Sequence, residues 1–522
     1  MDHNINENQV ADFIERYGLV ITLLIAVVLT LTYYIRFPIC YDDAYITFRY
    51  AKRIAEGMGF TYNDGIRTLG TTTPLFTLVL AAISKVIGVQ FIPEIARIIG
   101  LVCFILSAFL IYRIASVLIN HRLLAILTAF VYATYPPSVE SSGSGMEIPL
   151  FIALILLTFL LFLKNKLFPV GWLCGLMLAV RPDAIVWTGA IGVALLTNPK
   201  DLMRFVIGFM MVAIPAVVIV ILYFGHPLPL SIVAKQVSYG SFYHLDWENL
   251  INVFGVVLPN RFAQHPEIVI IFWMIVLLTI IYLSRSFIKH RNIRLIPLIA
   301  YIVLYPLFLW YGRTLMFVWY GYPLFPIFVL IAILIANDIF IYFKSRYLKA
   351  LTILIMFSWS AMFIWRIFIF EPAFGQGGPG MIDLEQWGMY FREQTEEDAT
   401  IFTESIPQVG YISGRHIICE VGLVSPEVVK IKQRYGDRIS ESNDWYFDVL
   451  RELKPDYLLI HAHEFDKNEL FPYEDLPLFD STRDSVYFYD HYKKVSIQDV
   501  IESGDYTGIL TDRYYLFRRT SD

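Results

Sequence analysis

Apolar residues gather into long uninterrupted runs over the first 370 positions and into short ones, spaced by polar helical segments, after that. Runs near 19–36, 93–113, 123–137, 147–163, 167–181, 183–198, 203–225, 266–284, 295–311, 318–343 and 350–370 predict bilayer-crossing helices. An untilted span asks for about 20 apolar residues, so these boundaries are soft. The stretch 167–198 divides at Arg181-Pro182-Asp183, because a proline between two charges suits a surface turn better than a bilayer centre. A further apolar stretch, 74–89, is predicted to lie in the interface or to dip in and return.

After position 370 a Pro- and Gly-rich stretch, 372–380, predicts a linker. Helices are then predicted at 383–395, 426–435 and 445–453, and strands at 398–404, 416–423, 457–461, 485–489 and 513–518. The fold class is therefore a polytopic α-helical membrane protein of about 11 spans over 1–370, with a C-terminal α/β domain over 371–522.

Lysine and arginine set the orientation. They fall in the connections holding Arg113/Arg122, Lys164/Lys166, Lys200/Arg204, Arg285/Lys289/Arg291/Arg294 and Lys344/Arg346/Lys349, whereas the short loop 138–146 has none. All the basic connections share one side if 74–89 does not cross. The N-terminus is then cytoplasmic and the C-terminal domain extracytoplasmic, in a bacterial-type inner (plasma) membrane. The first apolar run lacks a basic leader and a small-residue cleavage site, so it is read as a retained span.

Composition agrees: 57% of the 522 residues are hydrophobic and 17% are charged, more apolar surface than a water-soluble domain can hide. The net charge of −5 carries no long basic run, so nucleic acid is not an expected partner. Cys40, Cys103, Cys174 and Cys419 form no CxxC pair or metal spacing. His461 and His463, two apart with no third ligand, make a weak metal signal.

The candidate chemistry sits in the long first outer loop, 37–92. Tyr45, Phe48, Ala51, Ile54 and Ala55 recur at helical spacing, with Arg49, Lys52, Arg53 and Glu56 on other faces, which predicts an interfacial amphipathic helix ending at Gly57 or Gly59. Asp42 and Asp43 open it at the bilayer surface. One carboxylate suffices to cap a helix, and the proximity of two raises the pKa of one, as a general base requires. Asp43 is better placed to cap, so Asp42 is the preferred base. Arg181, Lys235, Arg313 and His226 fall in outer loops or at outer span ends, where they can neutralise a lipid phosphate or simply reach head groups. Glu147 opens a span facing the same space and serves the helix dipole, sugar hydroxyls or a cation. Arg49 and Arg67 reach the site or carry solvated charge. A divalent cation held by Asp42, Asp43 and Glu147 is compatible with this oxygen set but not demanded by it.

The segment Asp42-Asp-Ala-Tyr-Ile-Thr-Phe-Arg-Tyr-Ala51, followed by Gly57-Met-Gly-Phe-Thr-Tyr-Asn63, Gly65-Ile-Arg67 and Thr71-Thr-Thr-Pro-Leu-Phe76, resembles the first-loop signature of GT-C-type membrane glycosyltransferases. The nearest likeness is to the arabinofuranosyltransferase branch, with lipid A aminoarabinose transferases and protein O-mannosyltransferases more distant. Ser144-Gly-Met-Glu-Ile-Pro-Leu-Phe151, Arg181-Pro-Asp183, His226-Pro-Leu-Pro-Leu-Ser231 with Ala234-Lys235, and Glu420-Val-Gly-Leu-Val-Ser-Pro-Glu427 also resemble that pattern. Ile148, Leu230 and Glu420 depart from the usual Thr, Asn and Asp. The resemblance implies a polyprenyl-phosphate-linked sugar donor, a glycan, lipid or protein acceptor outside the cytoplasm, inversion at the anomeric carbon, and a first-loop aspartate as base. A transporter or flippase of lipid-linked sugars would use the same substrates, but would place charges near the midplane of repeated halves, which this chain lacks. A non-enzymatic sensor or assembly factor would not need both aspartates.

Overall fold

The computed structural model describes residues 7–119, 121–240, 293–313, 317–342, 379–461, 482–504 and 513–520, with single positions between 245 and 281, between 354 and 361, and at 506 and 509. The helices of its first half are α1 (Glu7–Arg36), α2 (Ala44–Ala55), α3 (Pro74–Ile87), α4 (Ile92–Leu118), α5 (Arg122–Thr134), α6 (Pro136–Gly143), α7 (Ile148–Leu163), α8 (Leu167–Val180), α9 (Ala184–Leu195), α10 (Pro199–Phe224) and α11 (Leu230–Tyr239). Ile296–Tyr311 and Phe325–Tyr342 follow. Among the described residues four stretches, Arg16–Arg36, Val89–Leu118, Pro199–Phe224 and Val318–Asp338, are long and apolar enough to cross a bilayer, and α6 with α7, bent by 118°, makes a fifth when taken as one span. The predicted run 266–284 is described only in part, as helical positions between 266 and 281, and the run 350–370 and the boundary at 370 lie mostly or wholly outside the described residues.

The prolines and glycines explain where elements start and where they touch. Pro74, Pro93, Pro136, Pro149 and Pro199 each fall in the first turn of a helix, where a missing N–H is harmless. Gly171 and Gly175, four apart on α8, face α10. A Cβ on Gly171 would lie 1.9 Å from the Phe205 carbonyl oxygen, and one on Gly208 of α10 would lie 2.3 Å from that of Phe168. Lipid offers no hydrophobic drive between helices, so small residues that let two backbones meet supply the packing instead.

One sequence expectation about the bundle changes here. The residues of loop 138–146 are largely helical, in α6, whose Glu140, Ser141 and Ser142 are all buried. They are satisfied inside: Tyr41 hydrogen-bonds Glu140, and Tyr34 donates to the Ser142 carbonyl at 2.9 Å. The stretch 74–89 forms the 14-residue α3, about 21 Å long at 1.5 Å per residue and so short of a full span.

The C-terminal region holds a five-stranded sheet in the order β2-β1-β3-β5-β4, from β1 (Thr400–Thr403), β2 (His416–Cys419), β3 (Tyr457–His461), β4 (Tyr492–Lys494) and β5 (Tyr514–Arg519). β1 pairs in parallel with β2 and β3, and β5 runs antiparallel to β3 and β4. Side chains alternate: Ile401 and Leu459 join one core, and Phe402, Leu458 and Ile460 the other. Helices Pro426–Tyr435 and Asp444–Leu453 and strand Tyr457–His461 lie within a residue of their predicted positions. The predicted strand at 485–489 is instead part of helix Thr482–His491, in which Asp484 and Phe488, four apart, are buried while Val486 and Tyr489 are exposed, a helical rather than an alternating pattern. All four cysteines are free and buried.

Substituting Gly208 by leucine should force α10 off α8 and cost about 1–3 kcal/mol. Thermal unfolding of the purified protein in detergent would register it, whereas Gly192→Leu, with nothing within 4 Å of its Cβ position, should leave the midpoint unchanged.

Candidate active site

The first loop leaves α1 and turns at Tyr41, which is buried; its amide donates to the Ser144 carbonyl at 2.9 Å and its hydroxyl lies 3.2 Å from that of Tyr322. This anchor fixes the backbone of the next two residues, Asp42 and Asp43. α2 is not the interfacial amphipathic helix predicted: Ala44 to Ala51 are all buried. One face joins Phe76, Leu80 and Ile95 of α3 and α4, and another joins Trp387, Ile406 and Val409 of the C-terminal region. A second hydrophobic partner, invisible to local periodicity, covers the face that would otherwise meet water or head groups.

The two carboxylates diverge. Asp43 lines a cavity of about 380 Å³, together with Thr47, Gly70 to Thr73, Met146, Glu147, Arg181 to Asp183, Ser231, Lys235, Tyr320 and Leu423. Asp42 does not line it; its Oδ1 accepts from the Gln408 amide at 3.2 Å. The expected cap by Asp43 is absent. Its φ of −53° and ψ of −26° are already helical, unlike the extended values that turn a capping side chain back onto the first amides.

Burial pushes the Asp42 carboxyl up to about 8, helped by the carboxylates of Asp43 and Glu404 and opposed by the Gln408 amide and Arg513. At neutral pH Asp42 is therefore mainly the neutral acid. Burial raises Asp43 as well, but the Lys235 ammonium works against that rise. Burial disfavours the Lys235 charge, yet Tyr320 and Asp43 more than restore it, holding the lysine above its ordinary value. Each aspartate has a cation opposing its rise, Lys235 for Asp43 and Arg513 for Asp42, but Asp42 also carries the repulsion of Asp43 and Glu404.

Arg181 and Asp183 end α8 and begin α9, and Glu147 precedes α7, so all three meet at one end of the bundle, opposite the connection holding Lys164 and Lys166. The turn 181–183 is buried rather than a surface feature. Arg181 Nη1 donates to Glu147 at 2.7 Å, and Nε donates to Asp183 at 2.9 Å. The Tyr305 hydroxyl donates to Asp183 at 2.8 Å. Glu147 and Asp183 thus take up the Arg181 guanidinium, and Lys235 is the cavity's cation without a direct ion pair.

The remaining sequence candidates lie elsewhere. His226 is exposed, its Nδ1 2.6 Å from the Leu228 carbonyl. Arg313 is exposed in a left-handed conformation (φ 43°) and does not line the cavity, though Tyr311 and Gly312 do. Arg67 stacks on Tyr223 at 5.2 Å. Arg49 is turned away from the cavity and donates to the carbonyls of Tyr62, Gly410 and Arg415 at 2.9, 2.6 and 2.7 Å. Among the described residues no three of His, Cys, Asp and Glu gather into a metal-holding group. Asp42, Asp43 and Glu147, the oxygen set considered for a cation, are separated by their engagements with Gln408, Lys235 and Arg181. His461 lies beside Ser405, Tyr514 and Glu404, and His463 falls outside the described residues.

Sequence reasoning gave no role to two cavity residues. Ser231, in the first turn of α11, is buried with a hydroxyl lacking any hydrogen-bond partner. It stands one helical turn before Lys235, a spacing that places both on one face. Asp183 was read only as half of a turn. An unsatisfied buried hydroxyl needs tertiary coordinates to recognise.

A family model described as a domain of unknown function (DUF8728) matches residues 378–517, the sheet-bearing region. No curated protein sequence matches the chain. Three solved structures share its fold. The oligosaccharyltransferase of Archaeoglobus fulgidus in complex with Zn and sulfate aligns with a TM-score of 0.57 at 14% identity, over 86% of this chain and 68% of that one. AglB from the same organism, in complex with an inhibitory peptide and a dolichol-phosphate, aligns at 0.53 and 12%, over 87% and 70%. ArnT from Cupriavidus metallidurans, bound to undecaprenyl phosphate, aligns at 0.57 and 9%, over 96% and 98%. The chain thus has the fold of GT-C-type integral membrane proteins, with a small sheet domain at its C-terminal end.

Replacing Arg181 with methionine would leave Glu147 and Asp183 buried without their cation, a loss of about 3–5 kcal/mol. A lowered unfolding temperature would register it, and Arg181→Met combined with Glu147→Gln and Asp183→Asn should recover part of the loss.

Proposed function

We propose that the protein is a glycosyltransferase that moves a sugar from a polyprenyl-phosphate donor to a hydroxyl of an extracytoplasmic glycan, lipid or protein, with inversion. The observation that carries this reading is one cavity lined by both Asp43 and Lys235, close enough to influence each other's charge, beside hydroxyl-bearing Thr71, Thr72, Thr73 and Ser231. A base, a phosphate-sized cation and a set of sugar-binding hydroxyls are what such a transfer needs. The sugar moved is a hexose or a pentose.

Asp43 accepts the proton of the acceptor hydroxyl as its oxygen bonds to the anomeric carbon. The bond from that carbon to the phosphate oxygen breaks on the opposite face, and the electron pair leaves with the lipid phosphate. Lys235 meets the charge that develops there, as a preorganised cation in a partly dry site. Ser231 and the three threonines orient the sugar, and the Glu147–Arg181–Asp183 network holds the cavity floor rigid. The neutral Asp42 is the weaker candidate for the base. The basic connections at Arg113/Arg122 and Lys164/Lys166 support a cytoplasmic placement of the bundle end away from the cavity.

In a purified transfer assay over a panel of polyprenyl-phosphate sugars, Asp43→Asn should lower turnover by about 10²- to 10⁴-fold, the range for a general base. Turnover of the wild type should rise with pH along an acid limb, because a base must be ionised and burial delays its ionisation. Lys235→Gln should raise the donor KM by about tenfold, as loss of a charge-assisted contact would. Full turnover by Asp43→Asn would sink the mechanism.

Glu56 and Asn165 are both exposed, at opposite ends of the bundle, while the native cysteines are buried. Glu56→Cys should react with an impermeant maleimide from outside the cell and Asn165→Cys should not. The reverse pattern would invert the proposed orientation.

A further inference from the structure

The first loop grips one short helix of the C-terminal domain at both ends. Helix Ile406–Ser413 begins with amides that have no partner inside the helix. Its own N-cap residue, Ser405, makes no capping bond, because the serine hydroxyl lies 2.8 Å from that of Tyr514 and 3.3 Å from His461 Nε2. The missing cap comes from another part of the chain: Asp42 Oδ1 accepts from the Gln408 amide at 3.2 Å. At the far end Arg49, one and a half turns into α2, donates to the Gly410 and Arg415 carbonyls at 2.6 and 2.7 Å. Between these points the Tyr62 hydroxyl donates to the Ile406 carbonyl at 2.8 Å. Gly410 has no room for a side chain there, since a Cβ would lie 2.3 Å from the Tyr62 hydroxyl and 2.8 Å from Arg49 Nη1. Asn63 then pairs with both backbone groups of Ile417 on β2, at 2.8 and 3.0 Å.

We infer that Asp42 is a positioning residue: by capping helix Ile406–Ser413 in trans it docks the C-terminal domain onto α2, and through the adjacent peptide it sets where Asp43 meets the cavity. Either protonation state of Asp42 can accept at Oδ1, the ionised one more strongly, so the contact survives protonation. A shift of helix Ile406–Ser413 reaches Asp43 across one peptide unit, which links the state of the C-terminal domain to the cavity. The docking stands on its own geometry and rests on the glycosyltransferase reading only for its effect on turnover.

Hydrogen–deuterium exchange and sugar transfer, both on the full chain in lipid nanodiscs, test it together. Asp42→Ala removes the acceptor and should speed exchange of the Gln408 amide by about tenfold or more, the effect of losing one hydrogen bond at a half-buried site. It should also raise the acceptor KM more than it lowers kcat. Asp42→Asn keeps an acceptor oxygen and should hold exchange within about threefold of the wild type, with transfer retained. Asp43→Asn should leave the exchange untouched while transfer is lost. Wild-type exchange in Asp42→Ala would overturn the docking, and Asp42→Asn as inactive as Asp43→Asn with protection intact would make Asp42 the base instead. Full transfer by both asparagine variants would overturn Asp43 as the base, and no transfer by the wild type over the donor panel would overturn the glycosyltransferase reading, while the exchange data decide the docking separately.

Discussion

A guanidinium taken out of water must find acceptors, and Arg49 is 3% exposed. Its acceptors come from two distant parts of the chain: Tyr62 and Asn63 on the returning loop, Gly410 and Arg415 in the C-terminal domain. No arrangement that separates these parts leaves the charge satisfied. α2, the loop after it and helix Ile406–Ser413 are therefore one unit, and removing either partner would strand a buried cation at a cost of several kcal/mol. Everything that lines the cavity on this side, from Asp43 to Thr73, is held by that unit.

On the other side of the cavity the same principle acts among side chains of the bundle. Arg181 is buried between Glu147 and Asp183, and Tyr305 meets the acceptor valence of Asp183 that remains. These residues start or end three different helices, so their pairing sets the relative positions of α7, α8 and α9 at the mouth of the bundle. A network satisfied in this way is rigid, and rigidity is what a reacting centre asks of its surroundings. Lys235 differs from Arg181 in being poised rather than neutralised, since its neighbours are the Tyr320 hydroxyl and the Asp43 carboxylate across open space.

The adjacent aspartates show how one peptide bond can divide two tasks. Successive side chains at a helix start point in different directions, so Asp42 reaches helix Ile406–Ser413 while Asp43 faces the cavity. The charge of Asp43 adds to the rise of the Asp42 carboxyl, while the Lys235 ammonium works against the rise of Asp43 itself. A pair of carboxylates that looks redundant in one dimension becomes a docking contact and a candidate base in three.

Hydrophobic run length, proline placement and helical spacing are local properties, and they located the described apolar helices up to Phe224, helix Pro426–Tyr435 and strand β3 closely, because nothing distant competed with them. Asp43, Glu147, Arg181 and Lys235, all singled out by residue type and position, line one cavity, whereas Asp42 does not. Three things were not legible. The burial of α2 depends on a domain more than 300 positions away, so its polar face looked like a water-facing one. The division of labour between Asp42 and Asp43 depends on the Gln408 amide and the Lys235 ammonium, neither of which lies near them in sequence. Arg49 and Arg313 were equal candidates by type and position, yet one is enclosed by carbonyls and the other stands in solvent. The sequence by itself determined which groups are present and which segments are helical. Which of those groups meet was decided only by the tertiary structure, because each buried polar atom has to be satisfied by whatever the fold brings within 3 Å or so of it.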